Sequence, residues 1–198
     1  MASNKIKFGL KGVHYAIATI AADGSATFGT PKPFPGAVSL GLDPQGEMEP
    51  FYADNIAYWV SNTNSGYEGD LEMARVSDDF KKDVLGYIED ANGVLLEDAD
   101  AEAVHFALLF QFEGDKHATR HVMYNCTAAR SNVSGQTKEE NATPQTETCS
   151  ISATSIYVPA LQKNLVKAET NPDTDASTYE GWNQTVYIPT SLTGSGGE

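Results

Sequence analysis

The chain is organised around the stretch Tyr67-Glu68-Gly69-Asp70-Leu71-Glu72-Met73-Ala74-Arg75-Val76. Apolar and acidic side chains alternate along it, which is the period-two pattern of a strand with one buried face. Its apolar face carries Tyr67, Leu71 and Met73. The opposite face carries Glu68, Asp70 and Glu72. We therefore predict a strand that faces the core on one side and presents three carboxylates on the other.

A short helix is predicted directly after this strand, with no linker between them. Ser77 can begin it, because its hydroxyl can accept a hydrogen bond from a free amide of the first turn. Phe80 and Val84 lie four residues apart and form an apolar stripe on one side of the helix. Gly86 suits the left-handed conformation in which many helices end.

The composition is that of an ordinary globular protein with a strong excess of acid. The 198 residues include 13 Lys and Arg against 27 Asp and Glu, which gives a formal net charge of −14. Such a charge repels nucleic acid and anionic membranes. The N-terminus lacks the apolar core of a secretory signal, and no run approaches a membrane span, so we expect cytosolic synthesis and no membrane partner. Cys126 and Cys149 are then expected to be free thiols.

The rest of the chain has mainly the pattern of β-structure. Strands are predicted within residues 13–20, 37–42, 48–59, 104–112, 119–130, 147–154, 164–170 and 184–188. Three prolines within residues 28–36 predict an extended surface loop. We expect a mainly β fold of two antiparallel sheets, in a sandwich or barrel with one short flanking helix. Residues 1–190 would form a single domain and residues 191–198 a disordered tail.

Two registers are possible for the predicted hairpin of residues 104–130. One places Phe106, Leu108 and Phe110 on the face of Met123 and His121. The other, shifted by one residue, places them beside Val122, Tyr124 and Cys126, and we prefer it because it makes a continuous apolar face. For the next strand pair, the predicted partners are Cys126 with Cys149, Tyr124 with Ile151, and Val122 with Ala153.

No catalytic, cofactor or metal site is predicted. Of the four histidines, only His117 and His121 are close in sequence, and a zinc site needs three or four ligands. Asp98, Asp100 and Glu102 lack the glycine and the terminal glutamate of a calcium-binding loop. We therefore expect a protein that is not an enzyme.

Several segments of the chain resemble one known family. These are residues 9–16 (GLKGVHYA), 35–40 (PGAVSL), 51–55 (FYADN), 66–72 (GYEGDLE), 106–110 (FALLF), 120–126 (RHVMYNC) and 144–148 (PQTET). In this order they resemble the major tail proteins, or tail tube proteins, of long, non-contractile-tailed bacteriophages. The resemblance runs from about Lys5 to Pro189 and is weaker over residues 155–165.

The resemblance implies a structural virion protein that polymerises as stacked hexameric rings into the tail tube, the conduit for DNA ejection. Implied partners are further copies of the chain, the tape measure and tube terminator proteins, and viral DNA that passes without specific binding. The implied location is the virion tail, with synthesis and assembly in the cytoplasm of the host bacterium.

Two other classes of function are weighed against this one. A soluble carbohydrate-binding β-sandwich would use Tyr58, Trp59, Tyr179 and Trp182 as stacking platforms. A hydrolase would need paired carboxylates such as Glu68 and Asp70, but catalytic pairs usually come from separate elements that flank a substrate.

The acidic face of the organising strand gives the sharpest hypothesis. Glu68, Asp70 and Glu72 would line the lumen of a tube and repel the phosphates of passing DNA. In the competing interpretation, these carboxylates simply face water. Residues 28–36 and the turn at residues 62–66 are candidate subunit contacts, because exposed loops often carry interactions.

Overall fold

The computed structural model describes residues 4–137 and 144–192. The strands are β1 Lys7–Ile20, β2 Ala26–Phe28, β3 Lys32–Pro33, β4 Ala37–Gln45, β5 Met48–Ala53, β6 Ile56–Asn62, β7 Gly66–Met73, β8 Ile88–Glu89, β9 Leu95–Leu96, β10 Phe106–Gly114, β11 Thr119–Ala128, β12 Glu147–Thr154, β13 Ile156–Val158, β14 Lys163–Leu165 and β15 Lys167–Glu169. The helices are α1 Asp78–Asp83 and α2 Ala176–Gly181. Of the predicted tail, residues 193–198 lie outside the described part, and the division into one domain and a tail stays a prediction.

The main sheet is antiparallel and has the strand order β2-β1-β10-β11-β12-β7-β4. Strand β3 also pairs with β1, and β15 with β11. Three two-stranded sheets, β5-β6, β8-β9 and β13-β14, accompany it. The prediction of a mainly β fold with antiparallel sheets is confirmed. Among the described residues the sheet does not close into a barrel, and there are two short helices where one was predicted.

Strand β10 is buried on both of its faces. Phe106, Leu108 and Phe110 point into one apolar cluster, whereas Ala107 and Leu109 point into a second. A continuous apolar run of this kind is typical of a strand with a packing layer on each side. The molecule therefore has one apolar cluster on each side of β10.

The first cluster lies between the central strands, the strands at the β4 end of the sheet, and helix α1. Phe80 of α1 is fully buried and stacks on Phe34, with ring centroids 4.3 Å apart. Tyr15 of β1 meets both rings edge-on, and its hydroxyl donates a hydrogen bond to Asp83 Oδ2 at 2.7 Å. Lys32 donates to the same carboxylate oxygen at 2.6 Å, so α1 is tied to β1 and β3.

Helix α1 begins at the predicted cap, but it ends at Asp83 with Val84 as its C-cap, two residues before the predicted Gly86. The Ser77 hydroxyl accepts a hydrogen bond from the Phe80 amide at 3.3 Å. Gly86 has φ of 73°, and a Cβ at this position would lie 2.5 Å from that of Ala101. Phe80 and Val84 are buried, so the predicted apolar stripe is the face that packs.

The preferred register for the β10–β11 hairpin is wrong over most of its length. Phe110 pairs with His121 and Leu108 with Met123, and Phe106 pairs with Cys126 only beyond a bulge. Val122 and Tyr124 point instead into the second cluster. The preference assumed that only one face of this strand pair is buried, but both faces are, so both registers bury apolar side chains.

The predicted pairing of Cys126 with Cys149 is also wrong. Cys126 pairs with Ala153 and Cys149 with Leu71, an offset of four residues that keeps both thiols on the same face. Because the offset is even, each side chain keeps its environment, and the alternation of the sequence could not distinguish the two registers. Both cysteines are free and buried, and burial raises their thiol pKa values to about 12 for Cys126 and about 11 for Cys149.

The strand predicted at residues 184–188 is wrong as well, because this segment has no regular structure. The helix α2 precedes it, begun by the Asp175 carboxylate, which accepts hydrogen bonds from the amides of Ser177 and Thr178. Trp182 is buried and donates a hydrogen bond to the His121 carbonyl at 3.3 Å. Residues 182–188, which we call the C-terminal strap, therefore cover the second cluster, and their apolar side chains pack there without forming a strand.

The proline-rich segment at residues 28–36 is only in part the predicted surface loop. Lys32 and Pro33 pair with Tyr15 and His14 at the sheet edge, where a residue without an amide hydrogen is tolerated. Phe34 between its prolines is 1% exposed and belongs to the first cluster.

We predict that Phe34→Ala lowers the free energy of unfolding by about 3–5 kcal/mol, because it leaves a cavity against Phe80. Urea unfolding followed by tryptophan fluorescence measures this. Phe51→Ala is the matched control: its ring is 61% exposed, and we expect a change below about 0.5 kcal/mol. Equal losses in the two variants would contradict the assignment of Phe34 to the core.

Candidate functional site

The predicted acidic face of β7 exists and is wider than the sequence indicated. Leu71 and Met73 are buried, while Glu68 and Asp70 are exposed and Glu72 is half-exposed on the opposite face. Successive carboxylates on one strand face lie about 7 Å apart. Asp43 of β4 pairs directly with Glu68 and adds a fourth acid. We call Asp43, Glu68, Asp70 and Glu72 the carboxylate surface.

Hydroxyl groups flank the carboxylate surface on both neighbouring strands. Ser150 of β12 donates a hydrogen bond to Asp70 Oδ1 at 2.8 Å. Ser39 of β4 donates to Glu72 Oε2 at 2.8 Å, and Thr146 donates to Glu72 Oε1 at 2.7 Å. The hydrogen bonds from Thr146 and Ser39 lower the pKa of Glu72, since they favour its ionised form.

Neutral hydroxyl donors orient Asp70 and Glu72 without cancelling their charge. Within residues 4–137 and 144–192, none of the four carboxylates forms an ion pair. An open depression of about 610 Å³ lies beside Glu68 and Asp70, and its wall includes Ser150, Ser152 and Thr127. The surface is therefore a negatively charged, hydroxyl-lined face.

Sequence reasoning missed Asp43, because Asp43-Pro44-Gln45-Gly46 has the composition of a turn. The strand continues to Gln45, and as the last strand on the path of the main sheet it tolerates Pro44. The signal was present in the alternation: Leu40 and Leu42 pack against the first cluster, which puts Asp43 on the acidic side.

A second surface unusual for a free monomer is the hairpin of β5 and β6, which we call the exposed hairpin. Its large apolar side chains are between 48% and 73% exposed. They are Met48, Phe51, Tyr52, Ile56, Tyr58, Trp59 and Val60. None of them belongs to either core cluster. Exposed apolar surface of this extent is typical of a surface that binds something else.

Sequence reasoning placed strands here but did not identify the exposed apolar surface. The signal was the loss of alternation: Phe51-Tyr52 and Tyr58-Trp59-Val60 put large apolar side chains on both faces of each strand. Such a strand needs cover on both faces, and a two-stranded hairpin provides none.

The aromatic residues of the carbohydrate-binding alternative do not form a platform. Tyr58 and Trp59 are exposed on the hairpin, whereas Trp182 is buried against Tyr187. The guanidinium group of Arg120 lies over the Tyr179 ring, with Cζ 4.0 Å from the ring centroid. The structure therefore gives this alternative no support.

The described part of the chain offers few groups for metal binding or catalysis. No group of three or more His, Cys, Asp and Glu side chains there could hold a metal ion. His121 lies 3.3 Å from Glu169, and burial lowers its pKa although the Glu169 charge opposes the shift. No helix in these residues is long and apolar enough to cross a membrane.

Comparison with known proteins identifies the family of the chain. A family model described as phage tail tube protein matches residues 1–155. The chain belongs to the phage tail tube protein family. No curated protein matches the chain.

Membership makes the chain a structural component of a bacteriophage tail, and it confirms the family that the sequence motifs indicated. Proteins of this family assemble into a tube with copies of themselves and with other tail proteins. The match ends at residue 155. The strands β13, β14 and β15, the helix α2 and the strap that covers the second cluster all follow it.

We predict that Thr146→Val raises the pKa of Glu72 toward the ordinary glutamate value, because one hydrogen bond to its ionised form is lost. Carbon NMR titration of the Glu72 carboxyl measures it. Since the folded-state pKa is lowered, the stabilisation that this group contributes is present above the unfolded-state pKa and disappears as pH falls through the folded-state pKa. Thr154→Val, at the far end of β12, should leave the titration of Glu72 unchanged.

Proposed function

We propose that the chain polymerises as stacked hexameric rings into the tail tube and that DNA leaves the virion through the tube. Its partners would be further copies of itself, with the tape measure and tube terminator proteins in and at the end of the tube. Synthesis and assembly would take place in the cytoplasm of the host bacterium. No catalytic activity, cofactor or metal is needed for this role.

The exposed hairpin is the observation that carries the proposal. On a monomer, the hairpin leaves seven large apolar residues in water, which is unfavourable in free energy. Burial of these residues against another copy would remove them from water. The hairpin leaves the main sheet where Gln45 pairs with Gly66, and in a ring it would contact a different surface of the neighbouring copy. Contacts of this heterologous kind close into rings or continue as filaments, and a tube needs both.

The carboxylate surface supports a second part of the proposal, namely that Glu68, Asp70 and Glu72 face the lumen. A basic wall would hold DNA by neutralising its phosphates and releasing counterions. A carboxylate wall repels phosphate over about 8 Å at physiological salt. The flanking serine and threonine hydroxyls keep the wall polar and wettable without adding positive charge. DNA would then stay near the axis and slide.

Replacing Trp59 with glutamate tests the assembly role of the hairpin. A charge buried without a partner costs about 3 kcal/mol or more, so the concentration needed for tubes should rise about a hundredfold. Sedimentation and negative-stain electron microscopy measure this, and circular dichroism checks that the monomer stays folded. Val133→Glu is the control, because Val133 is fully exposed elsewhere on the chain. Normal tubes from Trp59→Glu would remove the hairpin from the assembly interface.

Replacing Glu68, Asp70 and Glu72 together with lysine tests the lumen assignment. Tubes should still form, while genome delivery into cells should slow by about tenfold or more, most strongly at low salt. The control changes the same charge in the exposed loop acids Asp98, Asp100 and Glu102. Unchanged delivery through well-formed mutant tubes, or an assembled structure with these residues on the outer wall, would refute the assignment.

A further inference from the structure

The core of the molecule is open at one end. A cleft of about 220 Å³ reaches the first cluster there. Its floor includes Leu40, Leu42, Tyr67 and Phe112, all of which are only half-buried although they pack against the core. Apolar side chains left partly in water at the end of a core are ready to accept a further apolar group.

Two lysines border this cleft. Lys7 of β1 lies over the Phe112 ring, with Nζ 4.9 Å from the centroid. Lys167 of β15 lies over the Tyr67 ring at 5.5 Å and is 3.6 Å from Glu169, the one acid in the lining. His121 is largely buried in the same lining, and burial favours its neutral form. The cleft thus carries a positive rim on a chain whose net charge is −14.

The turn of the exposed hairpin has the complementary chemistry. Asp54 and Asn55 have φ of 51° and 61°, which gives the tight turn that joins β5 to β6. Asp54 is exposed, and Tyr52 and Ile56 beside it are 64% and 61% exposed. The tip therefore presents a carboxylate between an aromatic and an aliphatic side chain.

The positions of the two features allow a contact between neighbours in a ring. The exposed hairpin leaves β4 after Gln45 and returns to β7 at Gly66, and these two residues pair. Leu42 and Tyr67, next to this junction, line the cleft. Hairpin and cleft therefore share one end of the sheet, and a rotation about an axis roughly parallel to the strands keeps them at the same level. No described residue of β5 or β6 lines the cleft of its own chain.

We propose that the tip of the exposed hairpin of one copy, with Tyr52, Asp54 and Ile56, occupies the Lys7–Lys167 cleft of the adjacent copy. The proposal rests on the proposed function, since it names the lateral contact within a ring. The apolar side chains of the tip cover the open end of the neighbour's core. The Asp54 carboxylate lies between the two ammonium groups, where its charge is complementary to the rim.

Charge exchange tests the pairing. The double variant Lys7→Glu with Lys167→Glu, and separately Asp54→Lys, should each reduce the yield of tubes by more than about tenfold. Combining all three substitutions should restore tubes. The control, Lys116→Glu with Lys163→Glu, makes the same change of net charge outside the cleft and should assemble normally. Full assembly of the double variant and of Asp54→Lys, or no recovery in the combination, overturns the proposal.

Disulfide cross-linking identifies the occupant without relying on charge. Chains that carry Asp54→Cys alone are mixed with chains that carry Lys7→Cys alone, assembled and oxidised, and a heterodimer band is expected on a non-reducing gel. The native cysteines are buried, and Lys163→Cys replaces Lys7→Cys in the control. Tubes that form without the heterodimer overturn the cleft contact and leave the proposed function standing. A link only within single chains that carry both substitutions would mean that the hairpin covers its own cleft. If the unmodified chain forms no tubes or rings, the proposed function fails as well.

Discussion

Strand β10 is buried on both faces, and the other layers of the molecule are arranged to cover it. Phe106, Leu108 and Phe110 need cover on one side, and Ala107 and Leu109 need it on the other. The chain meets the first need with apolar side chains of β1, β7 and β12 and with α1. It meets the second with β13 and with Trp182 of the C-terminal strap. Neither layer is optional, because removing one would expose half of the central strand.

The layers that form the core are separate from the exposed hairpin and from the carboxylate surface, for which roles in the tube are proposed. The exposed hairpin contributes no side chain to either core cluster, so it can change or move without loss of the core. The carboxylate surface is the outer face of a strand whose inner face holds Leu71 and Met73. Burial of Leu71 and Met73 holds β7 in place, and the acids on its other face are therefore held at defined positions as well.

Backbone contact also positions the carboxylate surface. Gly69 lies between Glu68 and Asp70, and a Cβ at Gly69 would come within 1.9 Å of the Gly41 carbonyl oxygen. Glycine at this point lets β4 approach β7 closely, and that approach brings Asp43 opposite Glu68. The hydroxyls of Ser39 and Ser150 reach the acids from the two flanking strands for the same reason, since their strands are held in register with β7.

Features that depend on local pattern could be predicted from the sequence. They are the acidic and apolar faces of β7, the short helix with its cap at Ser77, the mainly β character of the chain and the family. The pairing of the strands and their register became clear only in the folded chain. Both faces of β10 and β11 are apolar, so either register of this hairpin would bury a similar set of apolar side chains. A shift of four residues between β11 and β12 likewise leaves Cys149 on the same face of the sheet. Burial of Phe34, the strap at Trp182, and the position of Asp43 likewise depend on residues far away in sequence. The sequence places two strands in the exposed hairpin, but only the folded chain shows that their large apolar side chains stay outside both core clusters.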